Sequence, residues 1–131
     1  MAIEVRREER VAILTINRPE ALNALSSALL EELRSELAAI AHDDNVGCLI
    51  VTGAGDKAFI AGADIAEMAT KTPLEARAYA ELGQECASLL ETMRAPTIVV
   101  VAAHVAKGHR IPEIEQIAEA RSHGDLSENA E

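Results

Sequence analysis

Aromatic residues are almost missing from this 131-residue chain: Phe59 and Tyr79 are the only two, and there is no tryptophan. A core must therefore be aliphatic, which a hydrophobic content of 49% allows. Cysteine is equally scarce. Cys48 and Cys86 stand far apart with no Cys-x-x-Cys or Cys/His spacing, which argues against a zinc site and suggests buried, reduced thiols in a cytosolic protein. Basic residues are in the minority, 12 against 22 acidic ones, for a net charge of −10. That balance argues against a broad nucleic-acid partner surface, and because the charge is spread along the chain it reads mainly as solubility. Long hydrophobic runs are absent too: Ile98 to Ala103 is far too short to span a bilayer. The start, MAIEVRREERVAIL, places no apolar stretch of signal-peptide length before its charges. The expectation is a soluble, cytoplasmic chain of one domain, or one domain and a tail.

What is present alternates. Arg10 to Asn17 is a β-branched and aliphatic run closed by Arg18-Pro19, hence a strand, and IEVRRE before it is placed to pair with it as a hairpin. Leu29, Leu30, Leu33, Leu37 and Ile40 recur at helical spacing, with Ser26 or Ser27 as N-cap and an end near His42 to Asn45. Val46 to Gly53 is a strand with two apolar faces, the pattern of a sheet covered by helices. Asp64 and Glu67 have the spacing of a reciprocal capping box, as do Thr72 and Glu75 with Pro73 at the first helical position. The helix opened by Thr72 carries Leu82, Cys86, Leu89 and Met93 on one stripe and stops before Pro96. Pro96 to Ala103 reads as another buried strand. Strand and helix in turn predict an α/β fold. Beyond Ala103, HVAKGHR is a polar joint, IPEIEQIAEARSHG reads as a short helix with Gly124 at its C-cap, and Asp125 with Glu128 would start a further one.

The stretch FIAGADIAEM, Phe59 to Met68, carries the first candidate chemistry. Small residues leave the backbone bare just where a helix begins, and the free N–H groups of a helix start favour an anion or a developing oxyanion. Gly62 and its alanine neighbours would let a carbonyl approach, with the Ala63 N–H as the donor. A tight strand-to-helix connection explains the same residues without any ligand.

Three segments, VAILTINRPEALNALSSALLEEL, CLIVTGAGDKAFIAGADIAEM and APTIVVVA, together resemble the N-terminal half of the enoyl-CoA hydratase/isomerase (crotonase) family, across residues 1–103. The resemblance implies a partial spiral of ββα units, an acyl-CoA thioester as substrate and no separate cofactor. It also implies that the backbone N–H of Ala63 is one of two oxyanion donors. Ala61, Gly62, Asp64 and Ile65 would lie along the bound CoA, and the Ala21 to Leu25 segment, with Leu22 and Ala24, would flank the pantetheine and adenine end. In the family the last of these strands runs into an Asn-Gly turn that supplies the second donor; here Val101-Ala102-Ala103 leads into His104-Val105-Ala106-Lys107. The family's acid and base glutamates would lie further on, and Glu67, Glu75 and Glu113 sit at cap or surface positions. Loss of one oxyanion donor costs ~10²–10³ in turnover, and loss of acid–base partners roughly 10²–10⁴. The chain is expected to bind acyl-CoA rather than to hydrate it, and its uncovered aliphatic strand to promote self-association.

The second candidate lies at the other end. Asp125 and Glu128, three apart at a helix start, are placed to hold a hard cation through oxygen, or simply to cap the helix. IPEIEQIAEARSHGDLSENAE resembles the helix and acidic tip of bacterial Gre-type transcript-cleavage factors. That resemblance implies Mg²⁺ at Asp125 and Glu128 and RNA polymerase as partner, as an alternative to acyl-CoA binding. It divides the chain into a crotonase-like part, 1–103, a joint, 104–110, and an incomplete Gre-like helix, 111–131. A fusion or frameshift product is a third possibility. The four histidines (His42, His104, His109, His123) have no metal spacing and read as surface residues. Cys86 reads as core, and Lys57 as a solvated turn lysine within reach of a CoA phosphate.

Overall fold

The computed structural model describes residues 2–101. The joint, the tail helix, His104, His109, His123, Glu113, Asp125 and Glu128 lie outside that range. Two antiparallel strands, β1 (Ile3–Glu8) and β2 (Val11–Ile16), form the expected hairpin. A single 3-10 turn, Pro19–Ala21, leads to helix α1 (Ser27–Ala41), then β3 (Cys48–Gly53), the one-turn helix α2 (Ile65–Met68), the long helix α3 (Pro73–Thr92) and β4 (Thr97–Val100). The strands form one sheet in the order β1-β2-β3-β4, with β2, β3 and β4 parallel. Parallel neighbours need long crossovers, and α1 and α3 supply them. This is the mixed α/β architecture that the alternation predicts.

The leucine stripe explains why α1 forms and where it lies. Leu29, Leu30, Leu33, Leu37 and Ile40 are all buried, packed on the sheet face made by Ala12, Leu14, Ile16, Leu49 and Val51. Each fully buried aliphatic side chain contributes ~1.5–3 kcal/mol. The opposite face buries Val11, Ile13, Cys48 and Ile50, with Ile98 and Val100 beside them. Both faces of β3 are therefore covered, as its unbroken apolar run requires. Helix α3 lies outside α1: of its apolar stripe only Cys86 is fully buried, while Tyr79, Leu82, Leu89 and Met93 are partly covered against the same core.

The caps hold in part. Ser26, not Ser27, is the N-cap of α1, its Oγ accepting from the Leu29 N–H at 3.1 Å. Asp64 caps α2 by accepting from the Glu67 N–H at 3.2 Å. The return half of that box does not form. The Glu67 carboxylate instead accepts from the Ser27 N–H at 3.1 Å, so it caps α1 from outside, because Ser27 offers an unpaired N–H at the first turn of a much longer helix. At α3, Thr72 accepts from the Glu75 N–H at 3.2 Å, and its hydroxyl donates to the Glu75 carboxylate at 2.9 Å.

Candidate functional site

Residues 61–64 run beside Leu25 as a single parallel bridge outside the sheet. The Leu25 N–H donates to the Gly62 carbonyl at 2.7 Å, and the Leu25 carbonyl accepts from the Asp64 N–H at 3.0 Å. In a parallel bridge the residue between those two points its own N–H the other way. The Ala63 N–H thus faces away from Leu25 and has no acceptor among the described residues. Ala61, Ala63 and Ile65 are exposed, Gly62 and Asp64 half-buried. Gly62 holds φ at +120° and has open space where a Cβ would stand. Glycine is needed there for its backbone angle, and no described residue stands where its side chain would be. Because α2 is a single turn, the local N–H matters more than any helix dipole.

The Ala21 to Leu25 segment packs against this loop. Leu22 is 44% exposed and its carbonyl accepts from the Ala61 N–H at 3.1 Å. Arg18 joins the two pieces: it donates to the Ala24 carbonyl at 3.0 Å and pairs with Asp64 at 3.0 Å. The Glu67 N–H, first, and Arg18, second, hold the Asp64 carboxyl below its ordinary range. Leu22 and Lys57 line a hollow of about 180 Å³ with Pro19 and the 54–58 turn, too small to enclose a CoA thioester by itself.

Asn23 is the residue that sequence reasoning missed. It is the one buried polar side chain among the described residues, with no exposed surface, and it sits in the left-handed region at φ 57°. Its Oδ1 accepts from the Arg18 N–H at 2.8 Å, and its Nδ2 donates to the carbonyls of Ala54 and Ala58, both at 2.9 Å. One amide thus ties the turn after β2 to the turn after β3, from which Phe59 leads into the site. The signal was a lone Asn inside a run of small and aliphatic residues with neither helical nor strand periodicity.

A charged cluster backs the loop. Lys71 pairs with Glu67 at 3.0 Å, donates to Ser27 Oγ at 2.9 Å and stands 5.3 Å over the Tyr79 ring. Hydrogen bonding from Ser27, and then from Lys71, pulls the Glu67 carboxyl down to about 2. A depressed carboxyl stabilises the fold above its unfolded pKa and ceases to do so as pH falls through the folded value. The α1–α2 connection should therefore loosen as pH drops from about 4.5 towards about 2. Glu67→Gln should cost about 1–2 kcal/mol at neutral pH, the full shift being discounted for solvent screening, and flatten the stability profile in that window. Urea unfolding at stepped pH checks this, with emission from Tyr79, the sole tyrosine, as the probe.

Cys48 and Cys86 are both buried, and the Cys86 thiol donates to the Leu30 carbonyl at 3.5 Å. Among the described residues no three His, Cys, Asp or Glu side chains gather as metal ligands, and no helix is long and apolar enough to cross a membrane.

Comparison with known proteins agrees with this architecture. The enoyl-CoA hydratase/isomerase family model matches residues 6–110. Crotonyl-CoA hydratase of Syntrophomonas wolfei is 46% identical over 99 residues, covering 76% of this chain and 38% of that protein. Short-chain-enoyl-CoA hydratase of Clostridium acetobutylicum is 43% identical over 97 residues, covering 74% and 37%. The crystal structure of enoyl-CoA hydratase from Bacillus anthracis superposes with a TM-score of 0.75 at 34% identity, over 78% of this chain and 40% of that one. The chain thus spans about two fifths of the length of the relatives it matches. On the family model's match and these relatives, the chain belongs to the enoyl-CoA hydratase/isomerase family.

Proposed function

We propose that this chain binds acyl-CoA thioesters, with the Ala63 N–H as donor to the thioester carbonyl and the Ala61, Gly62, Asp64 and Ile65 backbone along the ligand. The observation that carries the reading is the outward-facing Ala63 N–H beside an unobstructed Gly62, in a chain related to hydratases named for crotonyl-CoA and short-chain enoyl-CoA. A single backbone donor polarises a carbonyl but supplies no proton to the product, so the described residues support binding and enolate stabilisation rather than hydration. Leu22 and Ala24 flank the ligand's far end, with Lys57 near enough to meet a phosphate. A lyase role in fatty-acid metabolism would need acid and base groups free to move protons, whereas Asp64 beside Ala63 pairs with Arg18 and caps α2, and Glu67 is held by Ser27 and Lys71. Self-association belongs to the same reading, since β4 lies at one side of the four-stranded sheet with Val99 and Val101 about half exposed. The polymerase-binding reading rests only on the wording of residues 111–131 and is not part of this proposal.

Isothermal titration with acetoacetyl-CoA, against free CoA, tests it. The thioester should bind more tightly than CoA. Ala63→Pro deletes the N–H without removing any hydrogen bond of the bridge, and should weaken the thioester about tenfold, the worth of one hydrogen bond, while leaving CoA unchanged. Equal binding of the two ligands by the unaltered chain would sink the reading.

A further inference from the structure

The loop that carries Ala63 is anchored at its ends by the Ala61 N–H on the Leu22 carbonyl and by the Arg18–Asp64 pair, while its middle rests on Leu25. Its bridge to Leu25 is isolated, outside every strand, so the direction of the Ala63 N–H depends on where the Leu25 peptide sits. Leu25 is itself only half-buried and precedes the α1 cap by one residue. Arg18 holds the Ala24 carbonyl on the near side at 3.0 Å, and on the far side the Tyr79 hydroxyl, on α3, donates to the Leu25 carbonyl at 2.6 Å. That carbonyl already accepts from the Asp64 N–H at 3.0 Å, so one oxygen joins the long helix to the loop. The ring cannot swing freely. One face lies under the Lys71 ammonium at 5.3 Å, and Lys71 is held in turn by Glu67 and Ser27; the ring also packs at the margin of the main core.

We propose that Tyr79 is a positioning residue for the Ala63 donor, acting through the carbonyl of Leu25. Its hydroxyl bonds to the Leu25 carbonyl and not to Ala63. It holds the Gly62–Asp64 segment at a fixed distance from α3, so that the Ala63 N–H is already aimed before a thioester arrives. A donor aimed in advance costs no reorganisation on binding. The inference rests on the acyl-CoA reading above and adds to it the device that sets the site.

A tyrosine that merely satisfied its hydroxyl in the core would affect stability and both ligands alike, whereas a positioning residue affects only the ligand that uses the donor. The experiment is therefore the thioester-against-CoA comparison repeated on Tyr79→Phe, which keeps the ring and its Lys71 contact but deletes the hydroxyl. The variant should remain folded by circular dichroism, bind free CoA as before, and lose about three- to tenfold in acetoacetyl-CoA affinity. An unchanged thioester preference in Tyr79→Phe, with the preference present in the unaltered chain, would overturn the positioning role and leave the acyl-CoA reading standing. No preference in the unaltered chain would remove that reading, and this inference with it. Should the variant fail to fold, amide exchange on the unaltered chain without ligand decides: the Asp64 and Leu25 amides, the two donors of the bridge, should be protected well beyond their exposed neighbours. Free exchange at both would overturn the proposal.

Discussion

Replacing Asn23 by leucine is expected to lower the unfolding free energy by about 3–4 kcal/mol, measured by urea denaturation, although the residue lies in no helix or strand. Leucine brings no polar atom to replace the three hydrogen bonds that Asn23 makes with Arg18, Ala54 and Ala58. Each buried group left without a partner costs about 1–3 kcal/mol, reduced here to the extent that the two turns open to water. A second contribution comes from the backbone. Leu22 and Asn23 are both left-handed, at φ 55° and 57°, a conformation that asparagine tolerates and most side chains avoid. Asn23→Gly separates the two contributions, because glycine accepts the angle but offers no amide. Its cost should be smaller than that of leucine by about 1 kcal/mol, the usual penalty for a non-glycine residue in that region. Asn23→Asp keeps the acceptor for the Arg18 N–H but sets a carboxylate against two carbonyls, so it should be no better than leucine. Equal stability of the Asn23→Leu and unaltered chains would show that the two turns hold each other without the amide.

Most of the frame was legible because its signals are local. The spacing of five apolar residues marks α1, and all five are buried. The apolar runs mark β2 and β3, and Ser26, Thr72 and Asp64 mark helix starts that the structure confirms. What could not be read is what depends on partners far along the chain. Asp64-x-x-Glu67 matches a local box, yet Glu67 turns to Ser27, 40 residues away. The amide of Asn23 finds its partners 31 and 35 residues on, and the hydroxyl of Tyr79 reaches one 54 residues back. The exposure of Ile65 and Leu74, 80% and 79%, was equally hidden, since nothing local distinguishes these side chains from the buried ones. In the candidate site, the small-residue stretch pointed to Ala63, but the direction of its N–H follows from the Leu25 bridge, which no pattern of spacing encodes. Long-range hydrogen bonds thus position a loop whose composition alone was readable.

Gly53→Ala should be nearly as damaging as the loss of Asn23, for a different reason. Gly53 ends β3, fully covered, and a Cβ there would stand 2.3 Å from the Phe59 carbonyl oxygen and 2.8 Å from the Asn23 amide nitrogen. No rotamer change relieves the first contact, because the atom it meets is backbone. The 54–59 turn must shift, and with it the Ala54 and Ala58 carbonyls that Asn23 holds. An overpacked core position costs about 1–3 kcal/mol, and the upper end applies where a peptide has to move. The two sites act on one junction, so their effects should not add: once the turn is displaced, the amide has little left to lose. The double variant Gly53→Ala with Asn23→Gly should be less destabilised than the sum of the two singles by about 1 kcal/mol or more. Phe59 leads directly to Ala61 and Gly62, so Gly53→Ala should also weaken the thioester relative to CoA. Additive costs in the double variant would mean that Gly53 and Asn23 support the site separately, and the thioester comparison on each single variant would then show which of the two turns the loop depends on.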